Sequence, residues 1–63
     1  MDLEALTSRV RSEFLEMPGL CVTMPQAARL WGIERPVCEQ VIGALVDAAF
    51  LRRTKDGSVV RAR

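Results

Sequence analysis

The apolar residues between Thr23 and Leu51 have a spacing that few packing arrangements satisfy. Two adjacent alanines precede a Trp-Gly-Ile step, and further apolar residues follow at helical intervals. This pattern predicts two short helices that cross at a steep angle, because a small residue is needed where they touch and a glycine where the chain turns. The residues that set this spacing are Ala27, Ala28, Trp31, Gly32, Ile33, Cys38 and Val41.

The length and composition favour one small globular domain spanning residues 1–63. Apolar residues make up 49% of the chain, which argues against disorder, and no apolar run approaches the ~20 residues of a membrane helix. The polar, acidic start Met1-Asp2-Leu3-Glu4 does not resemble a signal peptide. We therefore expect a cytoplasmic protein with no membrane partner.

The charge of the chain is unevenly distributed. The net charge is only +1, too small to attract nucleic acid by itself. Residues from 52 onward carry five basic side chains against one acidic side chain, whereas residues 1–51 carry four basic against seven acidic. The basic residues of this tail are Arg52, Arg53, Lys55, Arg61 and Arg63.

Cysteine and histidine usage gives no support for a metal site. Cys21 and Cys38 are the only cysteines and histidine is absent, so the chain cannot supply the four Cys or His ligands of a typical zinc site. We expect both thiols to face inward as small apolar groups, with a redox or metal role as the alternative. No cofactor is expected.

Capping and periodicity predict the first two helices and a short strand between them. Asp2 caps a helix that ends at about Glu16 or Met17, before Pro18-Gly19. The run Leu20-Cys21-Val22 predicts a short strand. Thr23 and Gln26 then fit a capping box, and the second helix ends at Gly32. The apolar stripe predicted for the first helix contains Leu3, Leu6, Val10, Phe14 and Met17.

A third helix is predicted to begin at Pro36, which suits the first helical position. Its apolar face is broad, and Glu39, Gln40, Gly43 and Asp47 are left facing outward. A glycine here costs about 1 kcal/mol relative to alanine, which requires a reason such as the close approach of a partner. The apolar face contains Val37, Cys38, Val41, Ile42, Leu45, Val46 and Ala49.

The tail predicts a β-hairpin over residues 50–61 with its turn at Asp56-Gly57. A two-residue loop would place Arg52 opposite Arg61, which is a repulsive pair. A four-residue loop would place Leu51 opposite Val60, so that both face the core. The sequence favours the longer loop.

The order helix, short strand, helix, helix and basic hairpin resembles that of the winged helix-turn-helix superfamily over nearly the whole chain. The resemblance is strongest from Gln26 to Arg53, with Ala28 at the close contact and Gly32 at the turn. It implies a mainly α, α+β fold: three helices with a short first strand and a C-terminal β-hairpin wing. It also implies a small transcriptional regulator of the bacterial type that binds double-stranded DNA.

Two positions depart from the pattern of this superfamily. Ala49 stands where glycine is usual, so the third helix must end with a strained alanine or with a slightly different geometry. The outer face of the third helix contains Glu39 and Asp47, where DNA-binding members commonly place basic or hydroxyl residues. The first departure concerns the fold, and the second concerns the function.

The DNA-binding hypothesis assigns a role to each candidate site residue. Arg35 and Gln40 would read base edges, with Glu39 accepting from cytosine and Gly43 allowing close approach. The basic residues of the hairpin would contact phosphates, and the alternative is that they are simply solvated. The candidate residues are Arg35, Glu39, Gln40, Gly43, Arg52, Arg53, Lys55 and Arg61.

A protein-interaction module is the alternative function, since one fold serves many functions. Val37, Ile42 and Val46 are predicted to extend the apolar face beyond the core, which fits a homodimer or a larger protein partner. Trp31 is interpreted as core, with base stacking as its alternative. An enzyme is not expected, because the chain has no histidine, no glycine-rich phosphate loop and no nucleophile beside a base.

Overall fold

The computed structural model describes residues 2–62 and contains three helices and a three-stranded antiparallel sheet. This confirms the predicted mixed α+β class. Met1 and Arg63, the last basic residue of the tail, lie outside the described part. None of the described helices is both long and apolar enough to cross a membrane. The elements are α1 (Leu3–Glu16), β1 (Val22–Thr23), α2 (Met24–Trp31), α3 (Arg35–Asp47), β2 (Leu51–Arg53) and β3 (Ser58–Arg61).

The predicted N-terminal caps of α1 and α2 are both present. The carboxylate of Asp2 accepts hydrogen bonds from the first-turn amides of α1. At α2, the Thr23 hydroxyl accepts from the Gln26 amide at 3.3 Å, and the Gln26 side chain accepts from the Thr23 amide at 2.9 Å. These bonds satisfy amides that have no partner within the helix, so the helices begin where the sequence predicts.

The ends of α2 and α3 share one geometry, in which a residue adopts a left-handed conformation. Gly32 has φ 63° after α2, and Ala49 has φ 62° after α3. After α3, the amides of Ala49 and Phe50 donate to the carbonyls of Val46 and Leu45, which is the bond pair of a Schellman motif. The expectation of a strained alanine is confirmed.

Two predicted element boundaries are wrong by one or two residues. The helix α3 begins at Arg35, so Pro36 is its second residue and not its first. The strand β1 begins at Val22, which pairs with Val59, and not at Leu20. Since Val22 faces the core, Cys21 before it is directed away and is exposed, contrary to the expectation that both thiols face inward.

The core forms where the three helices meet the inner face of the sheet. Phe14 and Trp31 are buried there with ring centroids 6.1 Å apart, which confirms the core interpretation of Trp31. The indole N–H of Trp31 has no acceptor among the described residues. Leu3 and Met17, at the ends of the predicted α1 stripe, are exposed. The buried apolar residues are Val10, Phe14, Val22, Ala27, Trp31, Cys38, Val41, Ile42, Leu45, Leu51 and Val59.

The register of the hairpin lies between the two predicted alternatives. Leu51 pairs with Arg61 and Arg53 pairs with Val59. Thr54 and Ser58 close a three-residue loop, since the Thr54 amide donates to the Ser58 carbonyl at 2.8 Å, and Gly57 has φ 88°. The prediction that Leu51 lies opposite Val60 is therefore wrong.

This register decides which way each basic side chain of the hairpin points. Directly opposed residues lie on the same face of a sheet, and successive residues alternate between faces. Leu51 and Val59 are buried, so Arg53 and Arg61 share the inner face with them. Arg52 pairs with Val60 and lies on the outer face. The sheet order β1-β3-β2 leaves β2 at an edge.

Candidate functional site

One row of residues follows the outer side of α3, and we refer to it as the α3 stripe: Arg35, Glu39, Gln40, Gly43 and Asp47. Residues four apart on a helix lie on the same side, so Arg35, Glu39 and Gly43 follow one another along it. Gly43 is half-buried and the other four are exposed. The Arg35 guanidinium lies 3.8 Å from the Glu39 carboxylate, an exposed ion pair that contributes little to stability.

The hairpin reaches the α3 stripe through Arg53. A Cβ atom added to Gly43 would lie 4.0 Å from Nη2 of Arg53. The group that closely approaches this glycine is thus a side chain of the same molecule. Gly43 lies eight positions after Arg35, or about 12 Å along the helix axis. Arg35 and Arg53 therefore bracket one surface, with Glu39 and Gln40 between them.

The other three basic residues assigned to the hairpin do not join Arg53. Arg52 lies on the outer face and lines a cleft with the loop of residues 18–20. Lys55 is exposed in the loop at the tip of the hairpin. Arg61 is half-buried at its base, with its guanidinium carbon 4.7 Å from the centroid of the Phe50 ring. Arg52 and Arg61 line the same cleft, so the described basic residues of the tail have three surroundings: the α3 stripe, this cleft and the tip of the hairpin.

Arg11 is a candidate residue that the sequence reasoning missed. Its guanidinium carbon lies 4.9 Å from the centroid of the same Phe50 ring. Periodicity placed Arg11 on the solvent side of α1, and it is exposed, but no local pattern links residue 11 to residue 50. The packing of α1 against α3, which ends three residues before Phe50, brings the two together.

The described residues offer little for metal or thiol chemistry. Nowhere in residues 2–62 do three Cys, Asp or Glu side chains group closely enough to hold a metal ion. The Cys38 thiol is buried and lies 3.9 Å from the Met24 sulfur. Burial raises its pKa above the usual value; nearby Arg35 lowers this pKa and Glu39 raises it, both by smaller amounts. The thiol is therefore protonated at neutral pH.

Comparison of the chain with protein-family models, curated proteins and solved structures finds no match. The features of the chain that bear on its function are the α3 stripe, Arg53 and the order of the elements.

Proposed function

We propose that this chain is a winged helix DNA-binding domain of a small cytoplasmic transcriptional regulator. The observation that supports this proposal is the position of Arg53 against Gly43, which makes the hairpin and the α3 stripe one continuous surface. The order of helices and strands also resembles that of the winged helix-turn-helix superfamily. In this arrangement, α3 enters the major groove while the hairpin lies alongside a phosphate backbone.

The roles in this complex follow from the chemistry of the side chains. Arg35, at the first turn of α3, can donate both of its Nη groups to a guanine, and Gln40 can pair with an adenine. Glu39 can accept from a cytosine amino group once its contact with Arg35 is exchanged. Arg53 would bind a phosphate beside the groove.

The charge of the surface sets the expected strength of binding. Glu39 and Asp47 offset Arg35 and Arg53 on the same surface, so the attraction to a polyanion is small. Each phosphate contact still releases counterions, which makes the affinity fall steeply with salt. We expect weak binding by the single domain and tighter binding where a dimer presents two α3 helices about 34 Å apart.

Arg52 and Arg53 provide a matched pair of variants for the test. Both are exposed arginines on β2, but they point to opposite faces of the hairpin. Arg53→Gln is expected to weaken duplex binding about 5-fold or more and to reduce the salt slope by about one. Arg52→Gln is expected to weaken binding by less than 2-fold. Fluorescence anisotropy of a labelled duplex at several salt concentrations measures both.

Two outcomes would overturn the proposal. One is the absence of duplex binding even at ~20 mM salt, where electrostatic contacts are least screened. The other is an equal loss of duplex affinity in Arg52→Gln and Arg53→Gln, which would mean that the duplex is attracted by charge alone and not by the α3 surface. Arg35→Ala tests base reading separately, since it is expected to change the preferred sequence and not only the affinity.

A protein-interaction module without DNA affinity is the second candidate, but its predicted surface needs revision. Ile42 is fully buried within the single chain, and Val37 and Val46 are half-buried, so α3 offers no wide apolar face. What favours this candidate is the exposure of Leu15, Met17 and Leu30. A tight homodimer that Leu30→Glu dissociates, together with no duplex affinity, would support it over the first.

A further inference from the structure

The ring of Phe50 holds two guanidinium groups, from Arg11 on α1 and from Arg61 on β3. Their Cζ atoms lie 4.9 and 4.7 Å from its centroid. Because each lies within 5 Å of one point, the two cations cannot be more than about 10 Å apart. An aromatic face attracts a cation, but it accepts no in-plane hydrogen bonds and carries no neutralising charge.

The positive charge of this pair is not balanced within the described chain. Among residues 2–62, neither guanidinium has a carboxylate within 4.0 Å. The one ion pair in this part of the chain is formed by Arg35 and Glu39. In addition, the Nε atom of Arg61 is buried and has no hydrogen-bond partner in that part of the chain. A buried donor without an acceptor is costly, and two like charges within about 10 Å of each other repel.

A bound anion would balance the positive charge of the two guanidinium groups. We propose that Arg11 and Arg61, held on the Phe50 ring, form a binding site for a phosphate-class anion. Guanidinium groups suit such a ligand because their planar N–H donors match the oxygens of a phosphate, and stacking on the ring fixes their orientation beforehand. Arg61 itself lines a cleft together with Arg52, Val60 and residues 18–20, and this cleft provides access to the Arg61 side of the site.

The site is separate from the α3 stripe. Arg53 and Arg61 lie at opposite ends of the hairpin ladder, since Arg53 pairs near the loop and Arg61 pairs at the base. The phosphate can therefore come from free inorganic phosphate or from a nucleic-acid backbone that extends past the hairpin. Both sources have the same recognition chemistry.

The test is a titration of the ¹⁵N-labelled protein with inorganic phosphate, against chloride at equal ionic strength. The readout is the arginine Nε–Hε signals in NMR spectra. We expect saturable shifts at Arg11 and Arg61 with phosphate and not with chloride. Arg11→Gln and Arg61→Gln should each weaken phosphate binding at least 10-fold, while the control Arg9→Gln, an exposed arginine of α1, should change it less than 2-fold.

Phe50→Leu separates preorganisation from charge, because it keeps both cations and removes the aromatic face. It should weaken phosphate binding several-fold. The proposed site would be wrong if the shifts did not saturate or were equal with chloride. It would also be wrong if Arg9→Gln weakened phosphate binding as much as Arg11→Gln and Arg61→Gln. Since Arg11 is exposed, Arg11→Gln is expected to fold and keeps the test decisive if Arg61→Gln does not.

A second arm, with unlabelled duplex added to the phosphate-bound protein, distinguishes the source. Displacement of phosphate by duplex indicates a backbone phosphate, and unchanged Arg61 signals indicate a free anion. The phosphate titration uses no DNA, so the two proposals are tested independently. An absence of duplex binding would not contradict the anion site, and an absence of phosphate binding would not contradict duplex binding.

Discussion

Ala49 carries a conformational strain that glycine would relieve. Its φ of 62° is in the left-handed region, which costs an L-residue with a Cβ atom about 1 kcal/mol. Ala49→Gly is therefore expected to raise the free energy of unfolding by about 1 kcal/mol, measured by urea denaturation. Ala48→Gly is the control, because Ala48 has φ −81° and gains no relief. A lower stability of Ala49→Gly would contradict the left-handed turn.

Gly32 allows the same strain to be tested in reverse. It has φ 63° at the end of α2, and a Cβ atom there would meet nothing within 4 Å. The cost of Gly32→Ala is thus conformational and not steric. It is expected to equal, with opposite sign, the gain of Ala49→Gly.

Asp56 in the hairpin loop links stability to acid pH. A hydrogen bond from the Thr54 hydroxyl, followed by backbone bonds, lowers the pKa of Asp56 below its usual 3.8. A lowered folded-state pKa means that the ionised form stabilises the fold: this contribution is present above pH 3.8 and is lost as the pH falls through the folded value. Thr54→Val should return the pKa of Asp56 toward 3.8, as followed by NMR of the carboxyl carbon. Thr7→Val, which alters a hydroxyl on α1, should leave it unchanged.

At the scale of the elements, α3 contains a glycine whose effects on stability and on binding should have opposite signs. A Cβ atom at Gly43 meets only Nη2 of Arg53, at the 4.0 Å of an ordinary contact. Gly43→Ala should therefore stabilise the fold by about 1 kcal/mol through helix propensity. The added methyl group lies on the α3 stripe, so duplex affinity should fall several-fold.

Gly19→Ala serves as the control for this change. Gly19 lies outside the helices, in the turn after α1, and a Cβ atom there, unlike one at Gly43, meets nothing within 4 Å. It should give neither the gain in helix stability nor the loss of duplex affinity. If Gly43→Ala lost both stability and binding, the open contact with Arg53 would be wrong.

How well the elements could be predicted depends on how local their signals are. The caps at Asp2 and Thr23 and the turn at Gly32 involve residues within a few positions of one another, and these predictions are confirmed. The hairpin register depends on whether its loop has two, three or four residues, which Asp56-Gly57 does not decide. A shift of one residue moves every side chain to the other face.

The candidate site was less predictable for the same reason. Spacing along α3 sufficed to place Arg35, Glu39 and Gly43 on one side of the helix. Which hairpin arginine joins them follows from the register, and the pairing of Arg11 with Phe50 follows from the packing of α1 on α3. Such contacts between distant residues leave no pattern in a single sequence.

At the scale of the whole molecule, a chain of this size depends on few buried side chains. A domain of 63 residues is expected to have a free energy of unfolding of about 3–9 kcal/mol. Ile42 is 0% exposed and lies in the core cluster that joins the three helices to the sheet. Ile42→Ala removes apolar contacts and leaves a cavity, which costs about 2–5 kcal/mol.

Ile42→Ala should therefore lower the free energy of unfolding by about 2–5 kcal/mol, measured by urea denaturation followed by far-UV circular dichroism and by the emission of Trp31. Leu30→Ala is the matched control, because Leu30 is 53% exposed and its truncation should change stability by less than about 0.5 kcal/mol. Because Ile42 is buried within one chain, the decrease in stability caused by Ile42→Ala should not depend on protein concentration. A loss of stability that becomes smaller as the protein concentration rises would instead place Ile42 in an interface between two copies. It would then support the dimer surface predicted on α3.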